Sequence, residues 1–230
     1  MLCIGHRGAM GHEPENTLLS IRKAIELGVD AIEIDLYNVE DRLVAIHDRD
    51  LSRTTNGKGY IDDCSFEYLR SLDAGKGERV PTLKEVLATV DRQVRINLEL
   101  KGSNTAELAA DSILECLNQG WRDQDFVVSS FNHYELNQFK KLAPNIDIGM
   151  LIYGLPWRYI DLAKELGSNV VVCGLDYVNS RQVENIHQEE LQVWVYTVNR
   201  PQDINAMQKL QVDGIFTNYP DLFHEQITNK

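Results

Sequence analysis

The sequence predicts a (β/α)8 barrel, and three features of the 230-residue chain lead there. Short β-branched runs alternate with longer segments of helical period, the pattern of repeated βα units feeding a parallel sheet. The runs that fit this rhythm number eight, the count needed to close a barrel. Several of them end in ionisable side chains, at the kind of strand terminus where barrel sites are built.

The first run, Leu2-Cys3-Ile4-Gly5, leads into His6-Arg7-Gly8. Pro14-Glu15-Asn16-Thr17 then gives a helix start, Leu18, Ile21 and Ile25 form an apolar stripe, and Gly28 ends it. The second strand is Ala31-Ile32-Glu33-Ile34-Asp35-Leu36. The apolar piece Leu43-Val44-Ala45-Ile46 is surplus to eight and reads as a hairpin partner or a continuation of the second strand, because 37–42 is a turn-rich link. Across 48–80 the periodicity breaks down, with Thr54-Thr55-Asn56-Gly57-Lys58-Gly59 and Ala74-Gly75-Lys76-Gly77-Glu78-Arg79 supplying loop residues. This segment reads as an insertion after the second strand, near the barrel mouth, and either shapes that mouth or is a spacer.

Pro81-Thr82 opens a helix through Val90, followed by a strand to Leu100 and a helix over 106–117 closed by Gly120. Strands over 126–130, 147–151, 170–173, 193–196 and 214–217 complete the set, with helices between and after them. An open doubly wound sheet shares this alternation, but no G-x-G-x-x-G follows the first strand. The expectation is one catalytic domain over 1–230 that includes the 48–80 insertion.

At 43% hydrophobic and 25% charged residues the composition is that of a soluble globular protein. A net charge of −12 leaves no excess of Lys and Arg for neutralising a polyanion, so nucleic acid is not an expected partner. Cys3, Cys64, Cys116 and Cys173 are too widely spaced to suggest a zinc site or a disulfide framework. With no signal-peptide pattern at the start and no apolar run approaching a membrane span, a cytoplasmic protein without membrane insertion is expected. Oligomeric state is not written in the sequence.

Glu33 and Asp35 alternate within an apolar strand and therefore point to one face. Two like charges a few ångströms apart and partly buried raise each other's pKa and carry a desolvation cost unless a cation or donors compensate them. A metal ion is the economical compensation. His6-Arg7, His47-Asp48 and Glu99-Leu100-Lys101 end other apolar runs, so four strand ends converge on one site. From the residues alone a buried ion-pair network of Glu33, Asp35 and Glu99 with Arg7 and Lys101 stays open as the alternative.

Taken in order, His6-Arg7-Gly8, Pro14-Glu15-Asn16-Thr17, Glu33-Ile34-Asp35, His47-Asp48 with Leu51 and Arg53-Thr54-Thr55, Leu72-Asp73-Ala74-Gly75, Pro81-Thr82-Leu83 and Glu99-Leu100-Lys101 resemble the glycerophosphodiester phosphodiesterases, a family of phospholipase-C-like phosphodiesterase barrels. Ser129-Ser130-Phe131, Trp194-Val195-Tyr196-Thr197-Val198-Asn199 and Asp213-Gly214-Ile215-Phe216-Thr217 carry the likeness to the C-terminus. The resemblance implies a TIM barrel, a divalent cation, and hydrolysis of glycerophosphodiesters to sn-glycerol 3-phosphate and an alcohol.

It also implies roles, position by position. Glu33, Asp35 and Glu99 become the metal carboxylates, and three hard oxygen donors suit one Mg²⁺ or Ca²⁺, with Mn²⁺ also accommodated. His6 and His47 become the acid/base pair, since cleavage removes one proton from the attacking oxygen and gives another to the departing alkoxide. From their charge, and apart from the resemblance, Arg7 and Lys101 are expected to neutralise the remaining phosphate charge. His12 matches no essential position, and His133, His187 and His224 fall in or near outer helices. Among wall candidates Phe131, Trp194, Tyr153, Leu155 and Trp157, the first two are carried as substrate contacts. The attacking oxygen is either the glycerol hydroxyl next to the ester, passing through a cyclic phosphate, or water. Two alternatives remain beside this function: a lysophospholipase D-type phosphodiesterase, and a non-catalytic phosphate-ester binding protein.

Overall fold

The computed structural model describes residues 1–228, so the last two residues of the expected domain lie outside the described residues. Eight parallel strands close on themselves: β1 (Leu2–Gly5), β2 (Ala31–Val39), β4 (Arg95–Leu100), β5 (Phe126–Ser130), β6 (Asp147–Ile152), β7 (Val170–Gly174), β8 (Gln192–Tyr196) and β9 (Gly214–Thr217). Closure is by β1, whose Ile4 faces Ala31 of β2 and whose Leu2 faces Gly214 of β9. The remaining strand, β3 (Arg42–Ala45), runs antiparallel to β2, pairing Val39 with Arg42 and Leu36 with Ala45. Of the two readings of this piece, the hairpin is the one the fold adopts. Glu40 and Asp41 both take positive φ, 50° and 58°, the left-handed pair that suits a two-residue hairpin turn.

The helices covering the barrel include α1 (Leu18–Glu26), α3 (Leu83–Val90), α4 (Ala106–Asn118), α5 (His133–Leu142), α6 (Tyr159–Leu166), α7 (Ser180–Gln188), α8 (Pro201–Leu210) and α9 (Pro220–Thr228), while α2 (Phe66–Ser71) belongs to the insertion. Sequence signals explain their starts. Thr17 and Thr82 each form a reciprocal capping box with the residue three positions on, Ser20 and Glu85. Past the end of α1, Gly28 adopts φ +76°, the left-handed stop that glycine supplies without strain.

Alternation along each strand sorts side chains into two cores. Ile32, Ile34 and Leu36 of β2 face outward into the layer shared with the helices, with Ile96, Leu98 and Leu100 of β4 beside them. Inward, Ile4, Ala31, Val127, Leu151, Val170, Val172, Trp194 and Phe216 fill the barrel. Gly214 makes room for the largest of these, because a Cβ there would lie 3.0 Å from the Trp194 indole and 3.2 Å from Ile4. The 48–80 segment packs Leu51, Ile61, Leu69, Leu72, Ala74 and Val80 against Tyr37, Val39, Val44 and Ile46 of the hairpin, a small core of its own. Among the described residues no helix is long and apolar enough to cross a membrane.

Candidate active site

The inward face of the barrel is mainly apolar from β5 round to β1, with Ser129 of β5 a polar exception that accepts from Asn97, and becomes acidic towards the C-terminal ends of β2 and β4. Glu33 and Asp35 stand opposite Asn97 and Glu99 across the β2–β4 register, so three carboxylates meet at the C-terminal strand ends. One ligand oxygen from each of Glu33, Asp35 and Glu99 lies within 4.8 Å of the others. Above them a cavity of about 150 Å³ is walled by His6, Arg7, His47, Lys101, Phe131 and Tyr196, among others. A larger groove of about 720 Å³, walled by Arg42, Phe66, Leu83 and Leu114, lies outside the barrel between α3, α4 and the hairpin, away from the strand ends.

The loop after β1 is built to reach this cluster. Arg7 takes φ +52° and Gly8 φ +81°, and a Cβ on Gly8 would sit 2.5 Å from the Ser20 hydroxyl oxygen, so glycine is required there. The turn aims two backbone amides at β2: Arg7 N–H donates to Glu33 Oε2 at 2.9 Å and Gly8 N–H to the Glu33 carbonyl at 3.2 Å. Asn16, also left-handed at φ 56°, clasps Asp35 from two sides. Its amide donates to Asp35 Oδ2 at 2.9 Å, and its carbonyl oxygen accepts from the Asp35 N–H at 3.2 Å.

Burial, then repulsion by Asp35 and Glu99, holds the Glu33 carboxyl well above the usual range. Glu99 is pushed up to about 7, by burial first and Asp35 second. Glu33 Oε1 is buried with no hydrogen-bond partner. Two cations face the three carboxylates: Arg7 Nε is 3.3 Å from Asp35, and Lys101 Nζ is 3.0 Å from Glu99 and 3.8 Å from Asp35. With all three acids ionised they would outnumber these cations, a deficit that further positive charge would relieve and that the raised carboxyl pKa values reflect. An unpartnered buried oxygen, raised carboxyl pKa values and an all-oxygen donor set fit a hard divalent cation, which these three residues can hold. The ion-pair network with Arg7 and Lys101 therefore exists alongside the ligand cluster and leaves it under-compensated.

His6 and His47 flank the cavity from different elements. Burial, and the neighbouring Arg7 charge after it, pushes His6 down to about 4. Its Nδ1 lies 2.7 Å from Asn218 Oδ1; with the amide oxygen accepting, Nδ1 carries the proton and Nε2 keeps a lone pair. His47 Nδ1 is bonded to Asp48 Oδ1, and its Nε2 lies 3.1 Å from Lys101 Nζ. Asp48 itself is held down to about 2, chiefly by its hydrogen bond from Arg53 and further by His47. Burial works against the Lys101 ammonium, but Glu99 and Asp35 more than offset it and keep its pKa above the ordinary lysine value.

Of the residues expected at the site, Arg7, Glu33, His6, His47, Glu99, Lys101 and Phe131 line the cavity, and Asp35 lies beneath it. Trp194 is a correction. It is 1% exposed inside the barrel, packed edge-on to Phe216, and makes no part of the cavity wall. The physical reason is strand position: two residues further along the same face of β8, Tyr196 is the side chain that reaches the mouth, donating its hydroxyl to the Ile152 carbonyl. Tyr153, Leu155 and Trp157 are solvent-exposed and outside the cavity lining. Sequence reasoning passed over Asn16, Glu15, Asp48, Arg53 and Asn218. The first four stand within quoted motifs, so a signal existed; Asn218 had none.

Against known proteins, a family model described as the glycerophosphoryl diester phosphodiesterase family matches residues 6–222. A glycerophosphodiester phosphodiesterase of Caldanaerobacter subterraneus subsp. tengcongensis is 35% identical, covering 96% of this chain and 95% of its own length. A glycerophosphodiester phosphodiesterase of Bacillus subtilis is 31% identical over 98% of this chain and 86% of its own. Among solved structures, an Oleispira antarctica phosphodiesterase in complex with the product sn-glycerol-3-phosphate superposes with a TM-score of 0.91 at 30% identity, covering 99% of this chain and 96% of that one.

Proposed function

The chain belongs to the glycerophosphoryl diester phosphodiesterase family, and from that premise we propose that it hydrolyses glycerophosphodiesters to sn-glycerol 3-phosphate and an alcohol with the aid of one divalent cation. The observation that carries this reading is the meeting of three carboxylates, two histidines and two cationic side chains at one cavity. Its volume of about 150 Å³ lies below the roughly 300–1,000 Å³ of drug-sized pockets, which favours a polyol phosphate with a short head group over an acyl-bearing one.

Glu33, Asp35 and Glu99 would hold Mg²⁺ or Ca²⁺, with Mn²⁺ also suited, and the bound ion would supply Lewis-acid polarisation of the phosphoryl group. Arg7 and Lys101 bind the phosphate oxygens and neutralise charge that grows as the new P–O bond forms. His6, neutral and with Nε2 open to the cavity, takes the proton of the attacking oxygen. His47, its Nδ1–H held by the Asp48 carboxylate, gives the Nε2 proton of its imidazolium to the departing alkoxide, while Lys101 beside it keeps its own charge on the phosphate. Phe131 and Tyr196 stack perpendicular to each other at 5.8 Å and form the apolar wall on which the head group rests.

The test is release of sn-glycerol 3-phosphate from glycerophosphocholine and glycerophosphoethanolamine by purified protein, first with EDTA and then with Mg²⁺, Mn²⁺ or Ca²⁺ returned singly. Turnover abolished by the chelator and restored by a cation is the expected result. Absence of turnover with every cation, or cleavage confined to lysophospholipids, would overturn the reading.

A further inference from the structure

Beyond the residues that face substrate, we propose that Arg53, carried by the 48–80 insertion, is a positioning residue that locks the phosphate-binding arm and the His47 acid/base group into one register. The proposal rests on the roles just given to Arg7 and His47. Arg53 does not line the cavity. Its guanidinium instead spans two carboxylates, with Nη1 and Nη2 each 2.8 Å from the two Glu15 oxygens and Nε donating to Asp48 Oδ2.

Each of those carboxylates hands the contact on to a residue that does face the cavity. Glu15 Oε1 also accepts from Arg7 Nη1 at 2.7 Å, and Asp48 Oδ1 bonds His47 Nδ1. The chain of contacts closes on the far side: His47 Nε2 meets Lys101, Lys101 meets Glu99 and Asp35, and Asp35 meets Arg7. Arg53 is thus the member of a closed ring of charges that bridges the loop after β1 to the segment after β3. Only a planar, forked cation can serve a bidentate carboxylate and a second acid at once, so lysine cannot substitute.

Holding the insertion in place is the competing explanation, and two observations argue against it as the main role. The insertion is already anchored by an apolar core that it shares with the hairpin, with Leu51 and Leu69 fully buried. Arg53 is 46% exposed, a setting in which ion pairs contribute little to stability. Losing Arg53 therefore frees the Glu15 and Asp48 carboxylates to turn, and with them the Arg7 guanidinium and the His47 ring. Misplacement of about 1 Å in such groups lowers turnover on the order of 10²-fold.

The experiment compares wild type, Arg53→Ala, Arg53→Lys, Asp48→Asn and the Arg53→Ala/Asp48→Asn double variant on glycerophosphocholine with saturating cation, reading kcat, KM and Tm. Expected are a fall in kcat of roughly 10- to 100-fold for Arg53→Ala with Tm nearly unchanged, little recovery in Arg53→Lys, and a double variant no slower than the slower single one. Millimolar guanidinium, which can enter the exposed Arg53 position, should restore part of the rate in Arg53→Ala and none in His47→Ala. A kcat for Arg53→Ala within twofold of wild type, a rate loss that tracks a lowered Tm, or multiplying losses in the double variant would each overturn the proposal while the phosphodiesterase reading stands. No wild-type turnover would fail that reading first, and this one with it.

Discussion

Asp35 has almost no contact with water, and its carboxylate is met by Asn16 and Arg7 from the loop after β1 and by Lys101 past the end of β4. In the proposed reaction the two cations also face substrate, which leaves Asn16 as the dedicated support. Replacing it with glycine keeps the left-handed backbone and removes only the amide. Asn16→Gly should weaken divalent-cation affinity about 10- to 100-fold, measured by calorimetric titration, with the far-UV spectrum unchanged. For the histidines the expectation is the converse: His6→Ala and His47→Ala lose about 10²- to 10⁴-fold in kcat and keep cation affinity within a few-fold. An ester with a good leaving group, such as p-nitrophenol, needs little acid assistance. On it His47→Ala should recover most of its rate and His6→Ala should not; equal recovery would reverse or cancel the two assignments.

At the level of the strand, period-2 alternation decides more than composition does. On β2 it turns Ile32, Ile34 and Leu36 to the helices and Glu33 and Asp35 to the barrel axis, which is why acids in an apolar run were readable as a site. The same rule left Trp194 undecided, because alternation says which face a residue joins and not how far up the barrel it stands. Only the register Trp194 opposite Gly214 places it in the packed layer below the mouth. Trp194→Ala should therefore cost about 3–5 kcal/mol of stability, on the order of 10 °C in Tm by calorimetry, while the KM of the folded variant stays near wild type. A large KM change at unaltered stability would return Trp194 to the substrate wall.

For the molecule as a whole, a costly acidic centre lies at the heart of a well-packed barrel. Glu99 titrates near 7 against an ordinary value of 4.5, and Glu33 is also raised, so between these pH values the folded state holds protons that the unfolded chain releases. Folding stability without the cation consequently falls as pH rises through this window. A divalent cation bound at Glu33, Asp35 and Glu99 would displace those protons and favour the folded state, where the three acids are brought together. At a concentration about 100 times its Kd it should raise Tm by about 5–10 °C at pH 8 and distinctly less at pH 5.5, followed by thermal melts with EDTA and with Mg²⁺ or Ca²⁺. Equal stabilisation at both pH values would mean that the cation sits somewhere other than this cluster.

Local periodicity and backbone chemistry acting within a few residues were enough to read the eight barrel strands and their covering helices in order, the helix starts at Thr17 and Thr82, and the acidic face of the second strand, but not α2 within the insertion. The ordered motifs also assembled most of the cavity wall. Three-dimensional closure alone decided the rest. The pairing of Asn218 with His6 joins positions at opposite ends of the chain that only the β9–β1 contact brings together. The Glu15–Arg53–Asp48 bridge depends on how the insertion packs against the hairpin and meets the loop after β1, and the depth of Trp194 on the stagger of neighbouring strands. Such relations are set by the register and closure of the sheet, to which no single segment holds the information.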